Sequence, residues 1–172
     1  MGKPTNILLD EHKNILKVIN ALLAECADLE LSGKINSVFF RQAIDFIRNY
    51  ADKFHHAKEE DILFVELNKN HKRLPCNPIE QMLHEHTLGR QLVKGLEDGL
   101  GKNNKEDIIK NARGYADLLK EHIMKEDNIL YPMADEALGA KIQSEILKKF
   151  KIVEKKYDSK LLKKYHSFAR NL

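Results

Sequence analysis

The 172 residues include no tryptophan, two cysteines, four prolines and eight glycines. So little turn material argues against collagenous, propeller and many-stranded β architectures. Cys26 and Cys76 stand far apart with no other cysteine beside them. That excludes a disulfide framework and a cysteine-based zinc knuckle, and it fits a reducing compartment. Nowhere do about 18 apolar residues follow one another, so no membrane span is expected. The start, Met1-Gly2-Lys3-Pro4-Thr5-Asn6, has no signal-peptide apolar region, and Asn6 stands where a myristoylation pattern needs Ser or Thr. The expected location is the cytoplasm. Nucleotide-binding glycine loops, Ser or Cys nucleophile motifs and zinc-finger spacings are missing too, which leaves kinase and hydrolase readings without support.

What is present is charge of both signs, 32% of the chain with a net +3, beside 42% hydrophobic residues. A length near ~150 residues allows one domain with a sizeable core, and the balanced charge argues against disorder. Apolar residues recur at helical spacing almost throughout. Leu8, Leu9, Ile15, Leu16, Ile19, Leu22, Leu23 and Cys26 fall in threes and fours, which only a helix places on one face. The spacing predicts a first helix over 5–31, ended by Ser32-Gly33-Lys34, and a second over 36–68. Asn77-Pro78-Ile79-Glu80 offers an N-cap, a proline at the first helical position and an acid at the third, so a third helix should run over 78–100. A fourth follows over 105–138, bent or interrupted at Pro132 and closed by Gly139.

The expected fold class is therefore all-α: an up-down-up-down antiparallel four-helix bundle with one or two additional C-terminal helices. The domain division expected is a bundle over 1–139 and a basic amphipathic helical extension over 140–172, packed on or beside it. In that extension Lys and Arg number ten against three acids, an excess of seven that leaves about −4 for the rest of a chain of net +3. The lysines interleave with a regular apolar stripe and no nucleic-acid motif accompanies them. A solvated lysine face is preferred to nucleic-acid binding.

Two stretches align without gaps: His55-His56-Ala57-Lys58-Glu59-Glu60-Asp61-Ile62-Leu63-Phe64 and His122-Ile123-Met124-Lys125-Glu126-Asp127-Asn128-Ile129-Leu130-Tyr131. An acid follows each shared Glu and an aromatic closes each stretch. The preceding helices correspond as well, Leu9-Asp10-Glu11-His12 against Leu83-His84-Glu85-His86. The bundle thus reads as two related hairpins, each giving a His from its first helix and a His-x-x-x-Glu from its second. Residues four apart lie one helical turn apart, so His55 with Glu59, and His122 with Glu126, reach one cation together. All sit in apolar stripes, where an unpaired carboxylate costs several kcal/mol. Four imidazoles and two carboxylates suit two ions, with Glu59 and Glu126 bridging and two histidines terminating each. Nitrogen and oxygen donors without sulfur favour iron or manganese over zinc.

His12, His55-x-x-x-Glu59, His86 and His122-x-x-x-Glu126, with EEDILF from Glu59 and KEDNILYP from Lys125, resemble the haemerythrin-like HHE cation-binding family over roughly residues 5–138. The resemblance implies a four-helix bundle holding two iron ions, with an oxo or hydroxo bridge, in preference to manganese or zinc. It implies a small ligand such as O2, nitric oxide or peroxide, and a role in binding, sensing or iron handling. Oxygen-carrying haemerythrins have His-x-x-x-His on the third helix, but Met82 and Arg90 flank His86 here. That shifts the reading from O2 carriage toward sensing or small-oxidant chemistry. They also space the fourth helix as His-x-x-x-x-Asp, which selects Asp127 where the repeat selects Glu126. On the second helix His56 and Glu60 form an equally spaced pair, and His55 with Glu59 is preferred because it matches the repeat. His84 should face away, His71 and His166 should be solvated, and Tyr115 is more simply a core residue than a neighbour of the ions. A binding or sensor protein leads. A ferritin- or peroxidase-type di-iron oxidoreductase and a metal-free interaction module using the basic tail are the alternatives.

Overall fold

The computed structural model describes residues 3–172. Met1 and Gly2, which open the segment read above for a leader or acylation signal, lie outside the described residues. Among the described residues there are six helices and no strand. Helix α1 is Pro4–Ser32. Helix α2 covers 37–69 as one rod, with Ser37–Phe46 and Phe64–Lys69 α-helical and Ile47–His56 and Glu59–Leu63 π-helical. Helix α3 is Ile79–Gly101. Helix α4 covers 105–137, where a π-helical Glu126–Leu130 joins Lys105–Lys125 to Tyr131–Ala137. Helices α5, Ala140–Lys156, and α6, Ser159–Arg170, complete the chain.

The ends follow from local chemistry. Gly33 takes φ +69° and donates its N–H to the Leu29 carbonyl, a left-handed closure that a Cβ would strain. Asn36, Asn104 and Asp158 accept backbone N–H groups at the starts of α2, α4 and α6. Asn77 accepts from the Ile79 N–H at 3.3 Å, so the expected cap forms, with the helix counted from one residue later. Pro132 does not interrupt α4. It sits in the first turn of a new α-helical section, just after the widened turn has rearranged the backbone bonds, so its missing N–H costs little.

Neighbouring bundle helices pair with their numbers running in opposite directions. Asn14 meets Tyr50 and Glu25 meets Asn36 between α1 and α2; Arg48 meets Glu97 and Asp52 meets Arg90 between α2 and α3. Between α3 and α4, a Cβ on Gly89 would stand 3.6 Å from Tyr115, and one on Gly99 only 3.0 Å from Asp107. Between α4 and α1, Arg113 meets Glu30 and Asp135 meets Thr5. The bare Gly99 lets α3 and α4 close up at their junction.

The apolar core comes in two parts. One holds Ile15 to Leu29 of α1 with Phe40 to Phe54, Val93 to Leu100 and Ile108 to Ile123; the other holds Leu8, Ile62 to Leu67, Ile79, Met82 and Leu130 to Leu138. On every bundle helix buried polar side chains fall between them, Glu11 and His12, His55 to Glu59, Glu85 and His86, His122 and Glu126, and among the described buried polar residues only Thr5 lies outside this layer. Helix α5 joins one cluster through Ile146 and Phe150, and α6 joins the other through Tyr165 and Ala169. Lys149 pairs with Glu66 at 2.9 Å and Lys164 with Asp45 at 2.6 Å, so the lysine-rich stripe is tied to acids of the bundle.

Phe150 is fully buried. Phe150→Ala should destabilise the chain by about 3–4 kcal/mol, read as a lowered urea midpoint by circular dichroism. Lys155→Ala on the exposed face of the same helix should stay within about 0.5 kcal/mol of the parent; equal midpoints for both variants would mean α5 adds nothing to the fold.

Candidate metal centre

The buried polar layer is organised from its outside inward. Each of four histidines donates its Nδ1–H to a carboxylate on the neighbouring helix. His55 donates to Glu11 at 2.9 Å, His86 to Glu60 at 2.7 Å, His122 to Glu85 at 2.8 Å and His12 to Asp127 at 2.6 Å. Every one of these acids is adjacent in sequence to another inward-facing residue. The chain Glu11 to α2, Glu60 to α3, Glu85 to α4 and Asp127 to α1 therefore closes a ring around the bundle. Two lysines at matching places in the repeat hold the first-helix acids, Lys58 on Glu11 and Lys125 on Glu85. With Nδ1 engaged, each imidazole turns Nε2 to the bundle axis, the orientation that outer carboxylates impose on metal-bound histidines.

Two carboxylates meet those nitrogens. Glu59 Oε2 lies 3.6 Å from both His55 Nε2 and His86 Nε2, and Glu126 lies 3.4 Å from His12 Nε2 and 3.2 Å from His122 Nε2. Each acid thus faces one imidazole from each hairpin. Ligand atoms of His12, His55, Glu59 and Glu126 gather within 4.8 Å of one another, and so do those of His56, Glu59, His86 and His122, with Glu59 common to both groups. All seven residues are buried. His55 Nε2, Glu59 Oε2 and both oxygens of Glu126 have no hydrogen-bond partner. Buried polar atoms are nearly always paired, and these aim at one small volume, so the donor set fits metal ions.

Electrostatics shows the same demand for positive charge. Burial and the neighbouring Glu126 push Glu59 far above the usual carboxylate range. Burial also opposes ionisation of Glu126, yet His122 and His12 outweigh it and hold that carboxyl well below its ordinary value. Burial disfavours charge on His12, but hydrogen bonds to Asp127 and Glu126 prevail and raise it to about 9. Burial lowers His55, helped by His12, and lowers His56 to about 3, helped by His86. Without ions, protons on His12 and on Glu59 supply part of the charge that cations would bring.

Not everything here follows the sequence-based expectation. His55 and His56 both turn inward, on different sides of α2: His55 toward α1 and His56 onto His86, with ring centroids 3.7 Å apart. The π-helical turns on α2 place both inside. Glu60 and Asp127, the alternative ligands, are instead the outer acids of His86 and His12. Arg90 turns outward to Asp52 and Glu60, and Met82 lies in the core, so His56 takes the side where a second α3 imidazole is missing. Tyr115 packs against Gly89, away from the clusters, whereas Tyr131 donates its hydroxyl to Glu59 at 2.6 Å and stands 3.3 Å from His12 Nε2. His71, His84 and His166 are exposed. The roles of Tyr131 and of the outer acids were open to a reader of the repeat, which carries an acid beside His12, Glu59, His86 and Glu126 and an aromatic at the end of each stretch.

The two halves are not equivalent. Lys58 has no exposed side-chain surface, lying 3.8 Å from the Phe54 ring centroid under Phe150 and reaching Glu154 of α5, while Lys125 is 31% exposed. Helix α5 covers the His55 side and leaves the His86 side bare.

A family model described as the Hemerythrin HHE cation binding domain matches residues 3–134. Comparison with curated proteins and with solved structures gives no match.

Glu11→Gln and Glu85→Gln should each weaken metal binding about 10- to 100-fold, measured by competition with a chromophoric chelator, because the amide no longer fixes the imidazole behind it. Exposed Glu121→Gln on α4 should leave the affinity at the parent value.

Proposed function

Since the chain belongs to the haemerythrin HHE cation-binding family, we propose that it is a non-haem di-iron protein that binds or senses O2, peroxide or nitric oxide, or handles iron, at a carboxylate-bridged site. The observation that carries the reading is that His55 Nε2, Glu59 Oε2 and both Glu126 oxygens have no partner at the bundle axis, where His86 Nε2 and His122 Nε2 also meet at 2.9 Å, backed by four engaged Nδ1 atoms. In this reading His12 and His55 hold one ion, His86 and His122 the other, and Glu59 and Glu126 serve both. Donors of nitrogen and oxygen alone favour iron or manganese, and the family resemblance favours iron of the two. Bound there, the ions would supply one-electron redox chemistry and open positions for a small ligand.

The chain's own residues act on that chemistry. Glu11, Glu60, Glu85 and Asp127 fix the tautomers of the imidazoles. Tyr131 keeps a proton at its hydroxyl oxygen, directed to Glu59, and burial together with Glu126 and Glu59 holds that phenol far above its ordinary value. Apolar clusters flank the layer on either side. Residues 1–139 form the metal-binding unit and 140–172 its cover on the His55 side. No helix among the described residues is long and apolar enough to cross a membrane.

Protein purified without air should contain about two irons per chain by elemental analysis. A stable spectral change on adding O2 or nitric oxide should follow, and multiple turnovers with peroxide and a reductant would point to an oxidoreductase instead. The His55→Ala, His122→Ala double variant should lose most of its metal. Well under one metal per chain in fully folded parent protein would overturn the proposal and favour a metal-free interaction module.

A further inference from the structure

A cavity of about 350 Å³ opens between α2, α3 and α4 on the side of the centre that α5 leaves bare. Its inner wall includes the stacked His56 and His86 rings, and its sides are Ile47, Val93, Leu119 and the ring of Tyr115. Gly89 lies in one wall, where a side chain would project toward Tyr115. A water molecule's share of liquid volume is about 30 Å³, so the cavity is far larger than a diatomic ligand requires. It falls at the lower end of small-molecule sites.

The charges around it decide which molecule it suits. Arg48 is held by Glu97 through bonds of 2.9 and 2.6 Å, Lys94 by Asp98 at 3.2 Å, and Arg90 by Asp52 and Glu60 at 2.6 Å each. Glu85 is held by Lys125, Gln81 and His122. Lys53 stands at the exposed edge. Apart from Lys53, which meets only the neutral Asn49 amide at 3.4 Å, the cationic rim is therefore compensated, and an anion at Arg48, Arg90 or Lys94 would have to compete with carboxylates already seated. Asp52 also lines the cavity, and it receives His56 and Arg90 on Oδ1, which leaves Oδ2 as an acceptor. Apolar and ring-bearing walls with one hydroxyl acceptor suit a neutral ring carrying an O–H donor.

We propose that this cavity binds a small neutral phenol, its ring between Tyr115 and the Val93 side of the cleft and its hydroxyl donating to Asp52. Such a molecule would lie one imidazole, His86, away from the metal layer. The cavity and its charges belong to the chain without ions, so the inference stands apart from the di-iron reading.

The test is titration of the purified full-length chain with 4-fluorophenol, followed by 19F NMR, with metal content measured on the same sample. Saturable binding is expected, with 4-fluoroanisole, which lacks the donor, and 4-fluorobenzoate, which is charged, each weaker by about tenfold or more. Gly89→Leu, which fills the cleft and replaces a mid-helix glycine with a better helix former, should abolish binding while leaving the circular dichroism spectrum and metal content unchanged. Asp52→Asn should weaken 4-fluorophenol but not 4-fluoroanisole. Absence of saturation, equal binding of the three probes, binding that survives Gly89→Leu, or a phenolate-to-metal absorption band rising with the probe would overturn the proposal. Probe binding in a sample poor in metal would leave it standing and count against the di-iron reading alone.

Discussion

Orientation of imidazoles by carboxylates on adjacent helices is the constraint from which the centre of this molecule follows. A histidine with Nδ1 free can rotate and satisfy itself on a backbone carbonyl. One whose Nδ1 is bonded to Glu11, Glu60, Glu85 or Asp127 cannot turn its other nitrogen anywhere but inward. Four such pairs, each spanning a different helix–helix seam, fix the layer's geometry and the relative depth of the four helices. Slide one helix by a turn and two pairs break at once. The apolar clusters above and below supply the drive for burial, but they carry no comparable register information.

The layer is costly in its own right. Six ionisable side chains and His56 sit in a volume that excludes water, and the arrangement is tolerable only because protons or cations distribute among them. His122 and His12 hold Glu126 well below the usual carboxylate range, while burial and that same Glu126 push Glu59 far above it, so the two acids share one predicament and resolve it in opposite ways. The widened turns at Ile47–His56, Glu59–Leu63 and Glu126–Leu130 fall at the inward-facing histidines and glutamates of α2 and α4.

Much of this was legible in the chain. Helix positions followed from apolar spacing and from Gly33, Asn77 and Gly139, because caps and amphipathic stripes are local properties. The inward-facing His and Glu residues followed from the internal repeat. What periodicity did not yield was the inward turn of both His55 and His56, since an ideal 3.6-residue helix separates adjacent residues by about 100° and the π-helical turns do not announce themselves in composition. Tyr131 was not singled out for a related reason: counting turns from His122 says nothing about the widened turn at Glu126–Leu130 that precedes Tyr131. The cleft beside Gly89 depends on three helices at once, and no pairwise reading along one strand of sequence reveals it.

The outer acids divide unevenly between the two hairpins. Glu11 supports His55, and Glu85 supports His122, within one hairpin; His12 and His86 take their carboxylates from the other. Tyr131 likewise reaches across to Glu59. A lone hairpin would own a complete set of ligand types yet leave its first histidine adrift, and only a second copy facing it would supply the missing acid. The bundle is therefore two similar hairpins in one chain, each completing the other's polar layer. The two halves are not interchangeable, since Lys58 is buried on one side while a cleft opens on the other.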